Sequence, residues 1–295
     1  MDKQIGKLLE INLTEQKIKQ RVIPSELQKL FLGGISLNAK ILFDELPPGT
    51  DPLGPDNILV FGVGTLVGTP FPTAARTEAS AKSPLTGLFG TSNSGMFFGS
   101  QLIGAGYNGL IIKGCAAKPT YILIEDDQVS LQDASALWGK DSWEALDILK
   151  KRHFGSEAAL IGQAGENLVR FACIENGRYD AWARTGLGAV MGSKNLKAVV
   201  VRGTRGVQPH DIQALMQVTV KARKMIQASP FYKPFKAYGS MNAALPYGKF
   251  KALNAHNFTR GALPDWKDNF DKSKVEQHIR GNIACQSCII ACAHW

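Results

Sequence analysis

The stretch Gly104-Ala-Gly-Tyr-Asn-Gly109, which runs directly into Leu110-Ile-Ile-Lys113, decides the fold class of this 295-residue chain. Its glycines match G-x-G-x-x-G, a pattern that follows a strand and opens a helix in dinucleotide-binding folds. Here the order is reversed, because Phe97–Ile103 has helical character and Leu110–Lys113 is an apolar, β-prone run. We therefore predict a turn from a helix into a strand, and the match is only weak support for a dinucleotide-binding fold.

Short apolar runs on both sides of this turn, separated by Gly and Pro, predict further strands. They are Lys7–Asn12, Ile18–Val22, Ile58–Val63, Tyr121–Ile124, Ala158–Ile161, Val169–Ile174 and Ala198–Val201. Helices are predicted at Ser25–Phe31, Leu37–Leu46 and Ser142–Lys151. The segment from Gly62 to Gly99 is dense in glycine and proline, which indicates loops that cross a site. No internal repeat is evident.

The character of the chain changes after Pro209. Residues from His210 to about Gln227 carry apolar side chains at helical spacing, and the residues up to 284 are polar and turn-rich. We therefore predict an α+β fold with a strand-rich N-terminal domain at 1–207, followed by the start of a mainly helical domain at 208–295. Because the chain ends three residues after a potential ligand, Cys292, we expect more polypeptide to follow.

The composition favours a folded globular protein, with 44% hydrophobic and 20% charged residues. A net charge of +9 suits an anionic cofactor or an acidic electron carrier as well as a nucleic acid. Lys and Arg are scattered, however, and the tightest cluster, Lys150-Lys-Arg-His153, is typical of a solvated helix end. A zinc-stabilised nucleic-acid binder would also need aromatics among the basic residues, so we expect no nucleic-acid partner.

The N-terminal sequence Met1-Asp-Lys-Gln-Ile-Gly-Lys-Leu8 lacks the basic and then apolar layout of a signal peptide. No apolar stretch reaches the roughly 18 residues that a transmembrane helix needs. We therefore expect a cytoplasmic protein without a membrane partner.

Three of the five cysteines form the motif Cys285-Gln-Ser-Cys288-Ile-Ile-Ala-Cys292. Three clustered thiolates favour an iron–sulfur cluster, whose fourth ligand would come from further polypeptide, another chain or solvent. Zinc is the alternative, although a second C-x2-C pair is missing, and three buried thiols without a metal are a further one. Cys115 and Cys173 lie in or beside apolar strand runs and are expected to be inert core thiols.

Six segments, in order, resemble the aldehyde:ferredoxin oxidoreductase family of tungsten and molybdenum enzymes. The cysteine motif is the last of them. The others are Gly33-Gly-Ile-Ser-Leu-Asn-Ala-Lys-Ile-Leu42 with Leu46-Pro-Pro-Gly49, Ala75-Arg-Thr-Glu-Ala-Ser-Ala-Lys-Ser-Pro84, Ser92-Asn-Ser-Gly95 with Ala105-Gly-Tyr-Asn-Gly-Leu-Ile-Ile-Lys-Gly114, Ile161-Gly-Gln-Ala-Gly-Glu-Asn167, and Arg184-Thr-Gly-Leu-Gly-Ala-Val-Met-Gly-Ser-Lys-Asn-Leu-Lys-Ala198.

The resemblance implies that the N-terminal domain forms the base of a site for tungsten, or less often molybdenum, held by two pterin dithiolenes. It also implies a [4Fe–4S] cluster bound by Cys285, Cys288 and Cys292. A magnesium ion would bridge the pterin phosphates through main-chain carbonyls near Asn93 and in the stretch from Ala181 to Ala183. Arg76 would lie between pterin and cluster, and Gly95 and Arg184 would lie in the two loops that contact the pterins.

The activity that the resemblance implies is oxidation of a small aldehyde to a carboxylic acid, with electrons passing to ferredoxin. Reduction of an aromatic thioester on the same cofactor is an alternative. A further alternative is an inactive fragment, or one half of a split enzyme that needs a missing C-terminal portion or a partner chain. A homodimer is compatible with the resemblance. No catalytic residue is implied, because the family's acid/base residues belong to later segments.

Overall fold

The computed structural model describes residues 6–295, except for the side chains at positions 243, 245 and 269. Residues 1–5, where the expectation about a signal peptide begins, lie outside the described part. The chain forms two compact units. The first comprises the residues up to Thr69 together with Ala74–Pro209, and the second comprises Pro70–Thr73 and His210–Trp295.

The first sheet of the first unit is built from the first six strands of the chain. These are β1 (Lys7–Asn12), β2 (Lys17–Val22), β3 (Leu59–Val63), β4 (Thr77–Lys82), β5 (Phe89–Ser94) and β6 (Gly109–Lys113). Their order across the sheet is β2-β1-β6-β3-β4-β5. Only the pair β1 and β6 is parallel, and the other neighbours are antiparallel.

The second sheet contains the next six strands. These are β7 (Thr120–Glu125), β8 (Gln128–Asp133), β9 (Glu157–Leu160), β10 (Ile174–Asn176), β11 (Asp180–Trp182) and β12 (Leu196–Arg202). Their order is β8-β7-β12-β9-β10-β11, and only β7 and β12 are parallel. Both sheets therefore share one strand order and one pattern of directions. The expectation that the chain has no internal repeat is wrong at the level of topology.

Helices occupy matching places in the two halves of the first unit. Before the third strand come α1 (Ser25–Phe31) and α2 (Gly34–Glu45) in the first half and α4 (Ser142–Arg152) in the second. Before the sixth strand come α3 (Phe98–Gly104) and α6 (Leu187–Ser193). The short helix α5 (Gln163–Glu166) belongs to the second half alone.

Both sheets contribute side chains to one hydrophobic core, in which Phe61, Phe98 and Trp182 pack with ring centroids 5.3–5.7 Å apart. The outer face of the first sheet is covered by α2 and that of the second sheet by α4. Each of the other two helices contacts the sheet of the opposite half: α3 packs on β9 and β12, and α6 contacts β3 and β4 as well as β10 and β12 of its own half. Strands β5 and β11 also contact each other, so the two halves meet at equivalent strands.

The second unit contains mostly short helices. They are α7 (Ile212–Ala228), α8 (Tyr232–Tyr238), a 3-10 turn (Gly239–Ala243), α9 (Ala244–Lys249), α10 (Trp266–Phe270) and α11 (Lys272–Glu276). The carboxylate of Asp211 caps α7 by accepting the N–H of Ala214 at 2.9 Å. A two-stranded sheet of β13 (Asn282–Ile283) and β14 (Ala293–His294) ends the chain. No helix within residues 6–295 is long and apolar enough to span a bilayer.

The structure confirms the α+β class, and it confirms the turn from a helix into a strand at Gly104–Gly109, between α3 and β6. One predicted strand, Val169–Ile174, is wrong except for its last residue. Local hydrogen bonds hold this segment in turns, from Val169 N–H to Ala164 O and from Ala172 N–H to Val169 O. Phe171, whose apolar side chain suggested a strand, is 71% exposed.

Candidate cofactor site

The first group of predicted site residues lies along the end of the β4–β5 hairpin. Thr77 pairs with Ser94 and Glu78 with Asn93. Because neighbouring residues of a strand point to opposite faces, the buried Thr77 and Ser94 face the core, and the exposed Asn93 faces outward. Arg76 immediately precedes this hairpin, and its side chain is 59% exposed.

Two equivalent loops follow the fifth strands of the two halves. Residues 95–97 connect β5 to α3, and residues 183–186 connect β11 to α6. Two positions before each helix stands a non-glycine residue with a left-handed backbone, Met96 (φ 54°) and Thr185 (φ 67°). Such conformations cost energy, especially for a β-branched residue, and they are concentrated at functional sites. Left-handed non-glycine residues also occur elsewhere, for example at Gln16 and Asp126 in the equivalent first hairpins, so this geometry shows that the two loops, which contain Gly95, Ala183 and Arg184, are equivalent.

The first loop is held by the β10–β11 hairpin of the other half. Asp180 Oδ2 accepts the N–H of Gly95 at 2.6 Å, and Asn176 Nδ2 donates to Gly95 O at 2.9 Å. Asn176 Nδ2 also donates to Ser94 Oγ at 3.0 Å. The same carboxylate oxygen of Asp180 lies 3.7 Å from Arg76 Nη1.

The second loop is held in the reciprocal way by the β4–β5 hairpin. Arg184 donates its backbone N–H to Ser92 Oγ at 3.4 Å, and Ser83 Oγ donates to Thr185 O at 2.8 Å. Gly186, with φ 74°, completes this loop, and a Cβ there would come within 1.9 Å of Arg170 O. Each half therefore fixes the peptide groups of the loop of the other half.

The structure thus brings together the six pterin and magnesium residues expected from the sequence, namely Arg76, Asn93, Gly95, Ala181, Ala183 and Arg184. The two arginines and Asn93 are exposed beside the junction of β5 and β11, while Gly95 is buried with both its peptide groups hydrogen-bonded. Exposed guanidinium and amide donors next to small residues fit a ligand that carries phosphates.

Four residues that hold these loops were not predicted as site residues, namely Ser83, Ser92, Asn176 and Asp180, although Ser83 and Ser92 lie in segments that carry the family resemblance. One signal could have found two of them. Gly177 (φ 65°) opens the three-residue loop that joins β10 to β11, and a short loop with Gly between two β-prone runs indicates a hairpin. The hairpin would have placed Asn176 and Asp180 on facing strands, where the structure pairs them.

The cysteine motif lies in the second unit, in a loop closed by the pairing of β13 with β14. Ser287 (φ 56°) and Ala291 (φ 51°) are left-handed within it, and Tyr232 Oη donates to Ile289 O at 3.3 Å. Within residues 6–295 no three His, Cys, Asp or Glu side chains are placed to hold a metal, so the three thiols do not form a ligand set. Their assignment as cluster ligands stays a prediction.

The two cysteines outside the motif and two buried lysines are held within the fold of the first unit. Cys115 and Cys173 are half-buried, so they lie at the edge of the core and not within it; burial raises the pKa of Cys173, which fits the expectation of an unreactive thiol. Lys194 is fully buried and donates to the carbonyls of Pro55, Asn57 and Gly114, and burial lowers its pKa to about 8. Lys197 is equally buried and pairs with Glu166.

The repeated sheets and paired loops define an α+β protein built from two equivalent halves. Two family models match this chain. Residues 8–203 match the aldehyde ferredoxin oxidoreductase N-terminal domain, and residues 217–295 match domains 2 and 3 of the same family. The chain belongs to the aldehyde ferredoxin oxidoreductase family.

Curated relatives agree with this assignment. The tungsten-containing aldehyde ferredoxin oxidoreductase of Pyrococcus furiosus is 37% identical over 291 residues, which are 97% of this chain and 48% of that protein. The enzyme of the same name from Thermococcus kodakarensis is 36% identical over the same shares. The WOR-like subunit of the aliphatic sulfonate oxidoreductase of Pyrococcus furiosus is 38% identical over 217 residues, 68% of this chain and 34% of that one. The chain spans about half the length of the first two relatives.

A solved structure has the same fold. It is the active site complex BamBC of Benzoyl Coenzyme A reductase in complex with 1,5 Dienoyl-CoA. The TM-score is 0.86 at 32% sequence identity, and the match covers 98% of this chain and 46% of that one.

Proposed function

We propose that this chain supplies the cofactor-binding part of an oxidoreductase that carries tungsten, or molybdenum, on two pterins. The observation that carries the proposal is the pair of equivalent loops, each fixed by the other half, beside the exposed Arg76, Asn93 and Arg184. A repeated fold with paired loops suits a cofactor that itself consists of two similar pterins. When bound, the metal would supply the two-electron redox chemistry.

The residues of this chain would bind and orient the cofactor. Arg76 and Arg184 present guanidinium groups, which stay charged and bond phosphate or pterin oxygens in fixed directions. Backbone carbonyls at Asn93 and near Ala183 would hold a magnesium ion between two phosphates. The hydrogen bond from Arg184 N–H to Ser92 Oγ supports this role, because it brings the two segments next to each other.

The motif Cys285, Cys288 and Cys292 would bind a [4Fe–4S] cluster that passes electrons to ferredoxin. Support comes from the spacing of the cysteines and from the closure of their loop by β13 and β14. The thiols are not arranged as a ligand set, and such loops are commonly ordered only when the metal binds. The fourth ligand would come from further polypeptide or a partner chain.

The substrate that we propose is an aldehyde, which takes up water and gives a carboxylic acid, two electrons and two protons. Support comes from the relatives named aldehyde ferredoxin oxidoreductase. Reduction of an aromatic thioester is the second candidate, and it is favoured by the likeness to a benzoyl-coenzyme A reductase complex.

The test is metal analysis and activity of the full-length protein purified without oxygen. We expect tungsten or molybdenum, pterin and iron in the preparation, and reduction of ferredoxin when an aldehyde is added. Benzoyl-coenzyme A reduction without aldehyde oxidation would favour the second candidate. A preparation with neither tungsten nor molybdenum, or with zinc alone, would contradict the proposal.

A further inference from the structure

Asp180 occupies a special place between the two halves. Its Oδ2 accepts the N–H of Gly95 in the first loop, and its Oδ1 accepts the N–H of Ala181 at 2.8 Å. Its side chain is only 25% exposed, and Arg76 Nη1 lies 3.7 Å from it. One carboxylate thus contacts both a loop and a guanidinium of the candidate cofactor site.

The hairpin that carries Asp180 is itself anchored. At its turn, Arg178 donates to both carboxylate oxygens of Asp147 on α4, at 2.5 and 2.7 Å, and its guanidinium lies 5.3 Å from the ring centroid of Trp143. In the arms of the hairpin, Asn176 and Asp180 hold the Gly95 peptide. Asp180 therefore projects from a backbone that is fixed at both ends.

The contact between Asp180 and Arg76 matters for orientation more than for stability. Arg76 is 59% exposed, and a solvent-exposed ion pair contributes little to folding. A long side chain, however, loses conformational freedom when it binds a ligand, and a neighbour that already restricts it reduces that loss. A carboxylate at 3.7 Å keeps the guanidinium of Arg76 near the Gly95 loop.

The second loop has no such charge. Its peptide groups are held by the hydroxyls of Ser83 and Ser92. Within residues 6–295, no carboxylate forms an ion pair with Arg184. The two equivalent loops therefore differ electrostatically, because the first is uncharged and held by the Asp180 carboxylate, whereas the second contains Arg184 and is held by hydroxyls.

We propose that Asp180 is a positioning residue, which holds Arg76 and the Gly95 loop ready for the cofactor and makes the surroundings of the two pterins unequal. The inference rests on the proposed function, because it names a residue that prepares the same site. Asp180 acts through the Arg76 guanidinium and the Gly95 peptide.

The experiment compares two substitutions in the full-length protein, purified without oxygen. Asp180→Asn keeps an oxygen acceptor for the Gly95 N–H but removes the charge beside Arg76, whereas Asp180→Ala removes both. The matched control is Asp133→Asn, since Asp133 also accepts a backbone N–H (from Ser135, at 2.7 Å) and bonds a cation (Lys118, at 2.5 Å), but lies in β8. The readouts are hydrogen exchange at the Gly95 amide, metal and pterin retained after dialysis, and the reduction potential of the bound metal.

We expect Asp180→Ala to speed exchange at Gly95 and to weaken cofactor retention by about tenfold, the effect typical of residues that orient direct ligands. Asp180→Asn should leave Gly95 protected but raise the reduction potential, because removal of a nearby negative charge stabilises the reduced state. The control should leave exchange at Gly95, cofactor retention and the reduction potential unchanged. An unchanged melting temperature of Asp180→Asn would show that it folds.

Two results would overturn the inference. One is unchanged exchange at Gly95 in Asp180→Ala, and the other is wild-type retention and potential in both variants. A wild type that contains neither metal nor pterin contradicts the proposed function instead, together with the cofactor part of this inference. Exchange at Gly95 then still decides whether Asp180 holds the loop.

Discussion

The two halves of the first unit have the same strand order and the same strand directions, and each places a helix against the sheet of the other, but their chemistry differs where they meet. A carboxylate and an amide hold the first loop, and two serine hydroxyls hold the second. In both halves, these side chains bind one N–H and one C=O of a loop that contains a residue with a left-handed backbone. The comparison teaches that backbone geometry is what repeats here, because peptide groups require partners but do not dictate which side chains supply them.

The halves also depend on each other for their core. Trp182 of β11 packs edge-on against Phe61 and Phe98 of the first half, and its Nε1 donates to Thr77 O at 2.8 Å. The first half has no equivalent tryptophan. Its strand β5, the counterpart of β11, ends in Asn93 and Ser94. The packing between the two halves is therefore asymmetric, because Trp182 contributes from the second half only.

The largest effect is expected from Trp182→Ala. The substitution removes a fully buried indole, and large-to-small changes of this kind lower the free energy of unfolding by about 3–5 kcal/mol. The free energy of unfolding in urea measures the loss. Trp143→Ala is the matched control, because Trp143 is 55% exposed, and its removal should cost less than about 1 kcal/mol. Equal losses in the two variants would show that Trp182 does not join the halves.

A second comparison concerns the glycines at the second position of α3 and α6, the helices that contact the sheet of the opposite half. A Cβ on Gly188 of α6 would come within 2.2 Å of the carbonyl oxygen of Cys173, which is backbone. A Cβ on Gly99 of α3 would come within 2.2 Å of Thr77 Oγ1, a side-chain hydroxyl. The carbonyl of Cys173 cannot move away without distorting the backbone that leads into β10. The hydroxyl of Thr77, in contrast, can rotate away from the added methyl group.

We therefore expect Gly188→Ala to lower the free energy of unfolding by about 3 kcal/mol and Gly99→Ala by about 1 kcal/mol, within the usual range for overpacking. Urea titration of both variants tests the order. Equal values would mean that the two halves tolerate a methyl group alike, and the larger loss for Gly99→Ala would reverse the comparison.

Much of the fold was predictable because the signals were local. The opening hairpin and the helix-to-strand turn at Gly104–Gly109 follow from alternation and glycine placement. The bounds of α1 were also predicted, although Pro24 and not Ser25 is its N-cap and no side chain caps it. The repeat was not predictable in this way. The two halves share few residues beyond the apolar-Gly start of α3 and α6, Phe98-Gly99 and Leu187-Gly188, and such a dipeptide is too short to stand out.

The family resemblance proposed Arg76, Asn93, Gly95, Ala181, Ala183 and Arg184, and the structure places them near one another; their roles stay predictions. The residues that hold the candidate site were not predictable, because their partners are distant in the sequence. Asp180 and Gly95 are 85 positions apart, and Ser83 and Thr185 are 102 apart. Only a folded chain shows that one half supplies the hydrogen bonds for the loop of the other.

The smallest effect concerns the charged ends of the sixth strands, Lys113 of β6 and Arg202 of β12. Lys113 Nζ lies 2.7 Å from Glu45 and 3.2 Å from Glu10, and its side chain is 28% exposed. Arg202 lies 3.9 Å from Glu125, and both side chains are about half exposed, at 50% and 42%. At neutral pH, we expect Lys113→Met to lower the free energy of unfolding by about 1 kcal/mol, and Arg202→Met to lower it by less than about 0.5 kcal/mol.

At low pH, we expect Lys113→Met to have the same free energy of unfolding as the wild type. Burial alone would raise the pKa of Glu45, but hydrogen bonds from Lys113 and Arg21 outweigh it and lower the pKa below its ordinary value of 4.5. The stability that Glu45 contributes is therefore fully present above about pH 4.5 and is lost as the pH falls towards the lowered pKa. Urea titrations between pH 7 and pH 3 should show the wild type and Lys113→Met converging, while Arg202→Met stays parallel to the wild type. A constant gap for Lys113→Met would mean that Glu45 is not its partner, and the two halves would then resemble each other here as well.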